Sequence, residues 1–385
     1  MKCDIMITHV RSARKVVYDG IGKDRTDAEF RSGLYANTHQ KRHSPLLDIN
    51  NIDIIQDVPV GDPLHLLDLG ITRKILKGYV NGTLKPFPKW LPFTQEEISH
   101  LIVSTQLPSE ITRRLRSLKY LPFWKGTELS NFLHYVSIAV LEDKISDDAF
   151  RHFKLYYTAV TILSSKYYEP HWKYAGELLK LFVERFGSIY DRSHLTSNVH
   201  NLLHISSEVY RFGPLPTLST YPFENKLQFI KRLVRGGSRH LEQVVCRLVE
   251  LREIEIAKKL KDQNYPYVET KGETVILHVT ASFKLKEGDR DGWCLTNDHV
   301  VFKYHRVTKL SGSLFIVGHP ILHKQPTFTD PCDSGEIILN FKADKANLSP
   351  RSITVSIADI KCKLAAVTLE QGSTFYFTPL LHTLT

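Results

Sequence analysis

The chain has 385 residues, of which 42% are hydrophobic and 24% are charged. These proportions are ordinary for globular proteins and exclude a disordered tail, a collagen-like repeat or a long coiled coil. Lys and Arg outnumber Asp and Glu by 51 to 41, which gives a formal net charge of +10 and favours an acidic partner, with nucleic acid first and an anionic membrane second.

Cysteine usage and apolar runs indicate the compartment. The five cysteines are scattered and form no Cys-x-x-Cys pair, so we expect reduced thiols in the nucleus or the cytoplasm. The first twenty residues contain no apolar run typical of a signal peptide. The most apolar helical stretch, Phe132 to Leu141, is far shorter than the ~20 residues that span a bilayer. We therefore expect a soluble protein without a membrane partner.

The first part of the chain predicts loops followed by helices. Residues 1–60 are rich in turn residues, with a short strand candidate at Lys15–Tyr18. From Asp62 to about residue 262 the apolar residues recur with helical spacing, which predicts an α-helical body. Helix starts are predicted at Asp62-Pro63, at a capping box from Thr94 to Glu97, at Ser146 and at Pro170.

After residue 262 the pattern changes to short β-branched and aromatic runs between turn residues. They are Val268, Thr274–Thr280, Cys294–Tyr304, Leu314–Val317, Ile337–Phe341, Ile353–Ile357 and Phe375–Phe377. Such runs predict a small C-terminal all-β module, so the fold class is α+β overall.

Glu224 is the first candidate for chemistry. At helical spacing, Lys231 and Arg235 return to the face that carries Glu224. A metal-binding acid beside cations that hold phosphates is what phosphodiester chemistry requires. The alternative is a solvated face with an acid near the helix N-terminus. The surrounding segment is basic and contains Lys226, Lys231, Arg232, Arg235 and Arg239 without an acid between them.

Two further pairs could bind or orient a metal ion. Asp62 and His65 share one helical face, although Asp before Pro is also an ordinary helix cap. His200 and His204 have the spacing of a zinc-binding pair, but the metalloprotease helix requires Glu after the first His and here it is Asn201. Packing or hydrogen-bonding histidines are the alternative for this pair.

A second basic cluster is interleaved with aromatic residues. Its cations are Arg113, Arg114, Arg116, Lys119 and Lys125, and its aromatics are Tyr120, Phe123 and Trp124. This pattern suits a nucleic-acid backbone with stacking bases, and the alternative is an exposed helix end with core aromatics. P-loop, dinucleotide-binding, nucleophile-elbow and kinase motifs are missing from the sequence, which disfavours those enzyme classes.

Three segments together resemble a known family. They are Asp62–Gly70 (DPLHLLDLG), Asn198–His204 (NVHNLLH) and Phe212–Leu227 (FGPLPTLSTYPFENKL). Their order and distances resemble the C-terminal part of CACTA/En-Spm-like cut-and-paste DNA transposases and their animal relatives. Arg25–Arg31 and Ser44–Leu47 fit the animal members. The resemblance covers residues 1–262 well and the β tail loosely, through Cys362 and Pro379–His382.

This resemblance implies a ribonuclease H-like catalytic domain, interrupted by a helical insertion, in which two aspartates and one glutamate hold two metal ions. Glu224 would be the third acid, and Asp62 and His65 an Asp-x-x-His element. The implied division is a remnant of the catalytic core at 1–80, the insertion at 81–196, helices with the third acid and a basic face at 197–262, and the β module at 263–385.

The sequence departs from this family at the other acids. The two family aspartates lie upstream, the second of them before a Cys-x-x-Cys whose counterpart here is Cys3 alone, and Asp4 and Asp19 stand in the wrong context to replace them. We therefore expect the chain to lack catalytic activity and to need no cofactor, with Mg²⁺ or Mn²⁺ bound only if acids come from elsewhere. Zinc is not expected, since Cys3 and His9 would be the remnant of its site.

The sequence thus predicts a truncated or domesticated transposase-derived protein that binds DNA electrostatically in the nucleus, with the cytoplasm as the alternative location. The alternative function is an interaction module without a nucleic-acid role, which binds a protein partner through the helical body or the β module. A contiguous basic groove would favour DNA, and scattered cations would favour the alternative.

Overall fold

The computed structural model describes residues 2–10, 15–35, 42, 44–257, 264–310, 312–368 and 373–384. An antiparallel hairpin of β1 (Cys3–Val10) and β2 (Lys15–Asp24) opens the chain. The predicted strand at Lys15–Tyr18 is therefore the first part of a longer one, and its partner β1 is not predicted. The backbone N–H of Tyr18 donates to the carbonyl of Leu195 at 2.8 Å, which fastens the hairpin to the helical body.

Helices dominate the chain as far as residue 257. They are α1 (Asp27–Arg31), a π-helical segment (Pro63–Thr72) continuous with α2 (Arg73–Asn81), α3 (Pro92–Ser104), α4 (Gly126–Asn131), a second π-helical segment (Phe132–Val136), α5 (Ser137–Leu141), α6 (Asp147–Leu163), α7 (Trp172–Tyr190), α8 (Ser197–Asn201), α9 (Ile205–Phe212), α10 (Tyr221–Leu233) and α11 (His240–Ala257).

Not every predicted helix start is found. Ser146 caps α6 by accepting from the backbone N–H of Ala149, as predicted. The capping box at Thr94 is wrong, because α3 already begins at Pro92 and its cap residue makes no side-chain hydrogen bond. Pro170 lies inside a 3₁₀ turn that precedes α7, so it does not open that helix.

The C-terminal part contains eleven strands within the described residues. They are β3 (Tyr267–Lys271), β4 (Thr274–Thr280), β5 (Phe283–Lys286), β6 (Trp293–Thr296), β7 (Val301–Leu310), β8 (Ser313–Pro320), β9 (Gln325–Pro326), β10 (Phe341–Asp344), β11 (Ile353–Ser356), β12 (Ile360–Thr368) and β13 (Thr374–Pro379). One sheet has the order β3-β4-β5 and the other β11-β8-β7-β6-β12-β13-β10-β9, with every pairing antiparallel.

The predicted strands are mostly present, with two corrections. The run Cys294–Tyr304 is divided by a turn into the end of β6 and the start of β7. The run Ile337–Phe341 is largely wrong, since Ser334–Ile337 forms the short helix α12 and Leu339 has a left-handed backbone with φ 58°. A residue with positive φ cannot continue a strand.

The helical body and the β module are joined through one core. Buried residues of both parts belong to the same hydrophobic cluster. Tyr157 on α6 accepts a hydrogen bond from the Asn340 side chain at 2.6 Å, and the Tyr168 hydroxyl donates to the carbonyl of Ile338 at 3.0 Å. The fold is therefore α+β, with a helical N-terminal body and C-terminal antiparallel sheets that share a core. Among the described residues, every helix is too short or too polar to cross a bilayer.

Helices α10 and α11 contribute little to this core. None of the thirteen residues of α10 is buried. Phe223 on α10 is 70% exposed and Leu241 on α11 is 75% exposed. The two helices thus present both the basic segment and several apolar side chains to solvent.

Candidate nucleic-acid interface

Asp62 connects the first π-helical segment to α10. Its carboxylate caps that segment by accepting from the backbone N–H groups of Leu64 and His65, at 3.2 and 3.1 Å. It also accepts from the backbone N–H and the hydroxyl of Thr220, at 2.9 and 2.7 Å. Burial alone would raise the pKa of Asp62, but the hydrogen bonds from Thr220 and His65 hold it below its usual value. Asp62 therefore caps the first π-helical segment and links it to the start of α10, and both of its carboxylate oxygens accept hydrogen bonds.

His65 is oriented by this carboxylate. Its Nδ1 lies within hydrogen-bonding distance of Asp62 Oδ2 and of the Thr220 hydroxyl. The imidazole is largely exposed and lines a cleft beside α10. Because Nδ1 is occupied, Nε2 is the nitrogen left to meet a ligand. The structure thus brings the predicted Asp62 and His65 pair together, in an arrangement that orients an imidazole.

Asp68 and Tyr221 make a second link between the same two elements. The Tyr221 hydroxyl donates to Asp68 Oδ2 at 2.7 Å, and Asp68 is only 3% exposed. Burial raises the pKa of Asp68 well above its ordinary value, against the opposing effect of the Tyr221 hydrogen bond. Neither residue was singled out by the sequence analysis, although an aspartate flanked by leucines in Asp62–Gly70 is a signal for a buried acid.

The cleft beside α10 has a volume of about 1050 Å³. Glu224, Asn225 and Gln228 line it from α10, and Arg73, Arg113, Lys125 and His65 line it from the helical body. Phe123, which is 69% exposed, also lines it. Glu110 is the second acid of the cleft, and it is paired with the Lys363 ammonium at 2.7 Å. Cations and an exposed aromatic ring thus line the same cleft as Glu224.

No trio of carboxylates surrounds Glu224 in the part of the chain that the structure describes. One group of three or more His, Cys, Asp or Glu residues brings its ligand atoms within 4.8 Å of one another there, and Glu224 is not a member. Glu224 is exposed on the first turn of α10. Two-metal chemistry requires several carboxylates that bind the same pair of ions. The described residues around Glu224 do not supply such a set.

The basic segment is only partly helical. Lys226, Lys231 and Arg232 lie on α10, but the helix ends at Leu233 and Val234 has an extended backbone. The predicted sharing of one helical face by Glu224 and Arg235 is therefore wrong, because Arg235 lies beyond the helix. Arg239, with φ 51°, lies just before α11.

These five cations lie on the protein surface. The side chains of Lys226, Lys231, Arg232, Arg235 and Arg239 are all exposed. Within the described residues none of them forms an ion pair with an acid. Lys231 and Arg232 follow the cleft-lining residues Glu224 and Gln228 at helical spacing. The two cations therefore lie on the same face of α10, beyond the cleft.

The second basic cluster is divided between structural and exposed cations. Arg116 donates from Nε and Nη2 to the two oxygens of Glu128, each at 2.6 Å, and Glu128 is fully buried. Arg113 lies 3.9 Å from the same carboxylate and still lines the cleft, while Arg114 is exposed. Trp124 is buried and belongs to the core. Arg116 thus stabilises the fold. The exposed members that can meet a ligand are Arg113, Arg114, Lys119 and Lys125.

The second predicted histidine pair contacts Cys3. Cys3 Sγ lies 3.0 Å from His200 Nε2 and 3.6 Å from His204 Nε2. The predicted pairing of Cys3 with His9 needs correction, since the two residues lie six positions apart on the extended strand β1. At about 3.3 Å per residue their backbones lie roughly 20 Å apart. The His9 side chain lies outside the described residues.

A buried glutamate near this cluster was missed. Glu208 accepts from the backbone N–H groups of Val60 and Gly61, at 2.8 and 2.7 Å, and pairs with Lys2 at 2.6 Å. It therefore joins the N-terminus to the loop before Asp62. An available signal was its position on the apolar stripe of α9, three residues after Ile205 and directly before Val209.

The C-terminal part of the chain matches a protein-family model. A family model described as "Domain of unknown function (DUF8592)" matches residues 264–380, which include β3 to β13. No curated protein and no solved structure matches the chain. The matched region lies after the helices that carry Glu224 and the basic segment.

Proposed function

We propose that this chain binds the phosphate backbone of DNA through α10 and the segment that follows it, without cutting the strand. The carrying observation is the row of exposed, unpaired cations that continues the cleft, Lys231 and Arg232 on α10 and Arg235 and Arg239 beyond it. Cations that form no ion pair with acids of the protein can neutralise phosphates and release the counterions of DNA. With DNA as the ligand, the location that we propose is the nucleus.

The cleft supports the same ligand. Its cations, Arg73, Arg113 and Lys125, line it from the helical body. The exposed Phe123 ring beside them offers a surface on which a base can stack. A backbone held by Lys231 and Arg232 can therefore extend into the cleft, where further cations meet it.

We infer an origin in CACTA-like cut-and-paste transposases with a ribonuclease H-like catalytic domain. The support is that the three segments of the resemblance meet in space. Asp62 and Asp68 of the first segment bond to Thr220 and Tyr221 of the third. A Cβ at Gly70 would lie 2.9 Å from the Asn198 side chain, so the first segment also packs closely on the second.

The proposal excludes strand cleavage by this chain alone, since Glu224 belongs to no group of three or more potential metal ligands among the described residues. Water activation and strand transfer by two metal ions need a shared carboxylate ligand set. Mg²⁺ or Mn²⁺ would bind beside Glu224 only if another chain supplied the missing acids.

A second candidate function is binding of a protein partner. It is favoured by the apolar side chains that α10 and α11 expose. Leu241, Val245 and Val249 recur every four residues on α11, and Phe223 and Leu227 lie on α10. Such a row is typical of helices that pack on another protein. DNA binding depends on the exposed cations, whereas protein binding through the apolar side chains does not. One experiment can therefore separate the two functions.

The test is a titration of fluorescent duplex DNA, read by anisotropy across a salt series. We expect the triple variant Lys231→Ala, Arg232→Ala, Arg235→Ala to bind at least tenfold more weakly. The slope of log affinity against log salt should fall by about 2 to 3, because each lost phosphate contact removes about 0.9. The matched control neutralises three exposed lysines of the helical body, Lys166, Lys173 and Lys180, and should bind like the parent chain.

Equal losses in both triple variants would show that binding follows net charge alone and would contradict the proposed interface. A chain that binds no duplex at low salt would favour the protein-partner function. Nicking of supercoiled plasmid in Mn²⁺ that is abolished by Glu224→Gln would overturn the absence of cleavage.

A further inference from the structure

Three arginines line a recess between the helical body and the β module. The arginine recess has a volume of about 320 Å³, near the lower end of the ~300–1,000 Å³ typical of ligand sites. Arg113 and Arg114 line it from the loop after α3, and Arg290 lines it from the loop between β5 and β6. The described residues that line the recess include no aspartate or glutamate.

Arg290 is held in place by the backbone of the helical body. Its Nε donates to the carbonyl of Leu107 at 2.8 Å, and the next residue, Asp291, accepts from the backbone N–H of Ser109 at 2.8 Å. These two bonds fix the loop between β5 and β6 against the segment that follows α3. Because Nε is occupied, the two Nη groups of Arg290 are the part of its planar fork that can meet a ligand.

The acids beside Arg290 in the chain are paired with other cations. Asp289 pairs with Lys303 at 2.5 Å, and Asp291 pairs with Lys363 at 2.9 Å. Within the described residues Arg290 itself forms no ion pair with an acid. The positive charge of its guanidinium is therefore available to an anion from outside.

Arg113 and Arg114 can also turn toward such an anion. Arg113 lies 3.9 Å from Glu128, but both oxygens of that carboxylate already accept from Arg116 at 2.6 Å. Arg114 is exposed, and no acid of the described chain pairs with it. The recess thus keeps most of the charge of three guanidinium groups.

The donors of the recess indicate the chemistry of its ligand. Arginine only donates hydrogen bonds and stays charged. The hydroxyls of Ser104 and Thr105, which also line the recess, donate to the carbonyl of Leu101 at 3.1 and 2.7 Å, so their hydrogens are already used. A matching ligand presents several anionic oxygens, as phosphate does in bidentate pairs with arginine. A phosphate monoester carries about −1.5 to −2 charges near pH 7, which suits three guanidinium groups better than the single charge of a phosphodiester.

We propose that Arg113, Arg114 and Arg290 bind a phosphate monoester in this recess. Arg113 and Ile111 line both the recess and the cleft beside α10, so the two cavities adjoin. One source of the group is the terminal phosphate of a DNA strand whose backbone lies in the cleft, in which case the inference rests on the proposed function and adds strand ends to it. The other source is a small free phosphate ester. In both cases Arg290 gives the β module a part in ligand binding.

The experiment compares short fluorescent DNA strands that differ only in a 5′-phosphate or a 5′-hydroxyl, by anisotropy with the full chain. We expect the parent chain to bind the phosphorylated strand about tenfold more tightly, the effect of one hydrogen bond between charged groups. The double variant Arg114→Ala, Arg290→Ala should bind both strands alike. The matched control Arg351→Ala changes an exposed arginine of the β module and should keep the parent's preference.

Two further variants keep the test decisive. If the double variant does not fold, because it loses the bond from Arg290 to Leu107, the exposed Arg114→Ala serves alone and should at least halve the preference. The triple variant Lys231→Ala, Arg232→Ala, Arg235→Ala should weaken binding of both strands and leave their ratio unchanged. The ratio of the two affinities therefore reports on the recess, and their absolute values report on the proposed DNA interface.

Adenosine 5′-monophosphate and adenosine, compared by calorimetry, separate the two sources of the phosphate. A monophosphate that binds as tightly as the phosphorylated strand identifies a small phosphate ester, and a much weaker one identifies the strand end. If neither strand binds, the proposed function fails, and the monophosphate alone decides the recess. The proposal is overturned if the parent chain distinguishes neither the two strands nor the monophosphate from adenosine, or if the double variant keeps the parent's preference.

Discussion

At the scale of single residues, the buried Asp68 is an acid whose pKa the fold raises well above its ordinary value, which favours the neutral form. The Tyr221 hydroxyl donates to Asp68 Oδ2 at 2.7 Å, and Asp62 is the nearby acid that adds to the effect of burial. Desolvation of a lone carboxylate costs far more than that of a carboxylic acid. Asp68 therefore couples the position of α10 to proton binding.

This predicts a pH-dependent effect of Asp68→Asn. Because the pKa of Asp68 is raised on folding, its stabilising contribution is complete below the unfolded value of about 4 and is lost as the pH rises toward the folded value. Asn keeps an oxygen that accepts from Tyr221 and cannot ionise. We expect the variant to exceed the parent chain in free energy of unfolding at pH 8 and to approach it at pH 4.5, as measured by urea denaturation.

The control is Asp298→Asn, which changes an exposed aspartate and should shift stability equally little at both pH values. If Asp68→Asn destabilised the chain by the same amount at pH 4.5 and pH 8, the carboxyl would not be held neutral in the fold.

At the scale of elements, α10 is positioned by its first turn. It has no buried residue, so its place depends on polar links rather than on a packed face. Asp62 joins the cap of the first π-helical segment to Thr220, the residue before α10. A helix without a buried face gains little tertiary stabilisation of its own. The Asp62–Thr220 link therefore fixes the position of α10, and with it the positions of Glu224 and Lys231.

We therefore expect Asp62→Ala to destabilise the chain by about 2–4 kcal/mol, since it removes both a helix cap and hydrogen bonds to a charged group. Ser146→Ala, which removes the cap of α6 alone, should cost only about 1 kcal/mol. Denaturant unfolding measures both. Hydrogen exchange should also speed up in 221–233 for Asp62→Ala and stay unchanged there for Ser146→Ala. Equal costs, or an unaffected α10, would show that Asp62 is only a cap.

The sequence predicts local features of this site and fails on long-range ones. The Asp62-Pro63 pair predicts where the first π-helical segment begins, because a helix cap and a first-turn proline act on residues at most three positions away. The end of α10 before Arg235 was missed because Val234 already has an extended backbone, which the periodicity of the sequence does not reveal. The contact between Cys3 and His200 joins residues 197 positions apart, and no spacing rule reaches that far.

At the scale of the whole molecule, the β module depends on the helical body. The Lys363 ammonium on β12 is fully buried and lies between Glu110 and Asp291, at 2.7 and 2.9 Å, and it also donates to the carbonyl of Lys284. Asp291 in turn accepts from the backbone N–H of Ser109. Burial would raise the pKa of Asp291, but the Lys363 charge and the Ser109 hydrogen bond lower it. This ionic junction and the shared core make the two parts one unit.

The module boundary is accordingly predictable from sequence while the docking of the module is not. The change from helical to strand periodicity after residue 262 agrees with the observed switch from α11 to β3. β12, at the centre of the large sheet, was missed because its run IKCKLAAVT alternates only as far as Leu364 and then continues with apolar residues. Lys363 is a polar residue of the alternating part and is nevertheless buried, because it pairs with Glu110 of the helical body and with Asp291.

The last prediction concerns cooperative unfolding across this junction. Lys363→Met leaves two acids without their buried cation, so we expect a loss of about 3–5 kcal/mol. Adding Glu110→Gln and Asp291→Asn removes the unpaired charges and should restore part of that loss. The control Lys309→Met changes an exposed lysine on β7 and should cost little.

Two spectroscopic probes test cooperative unfolding in the parent chain. Circular dichroism at 222 nm follows the helices, and near-ultraviolet signals include the buried Trp293 of β6. Both should report one coincident denaturant transition. Two separate transitions in the parent chain, or a Lys363→Met variant as stable as Lys309→Met, would show that the β module folds without the helical body.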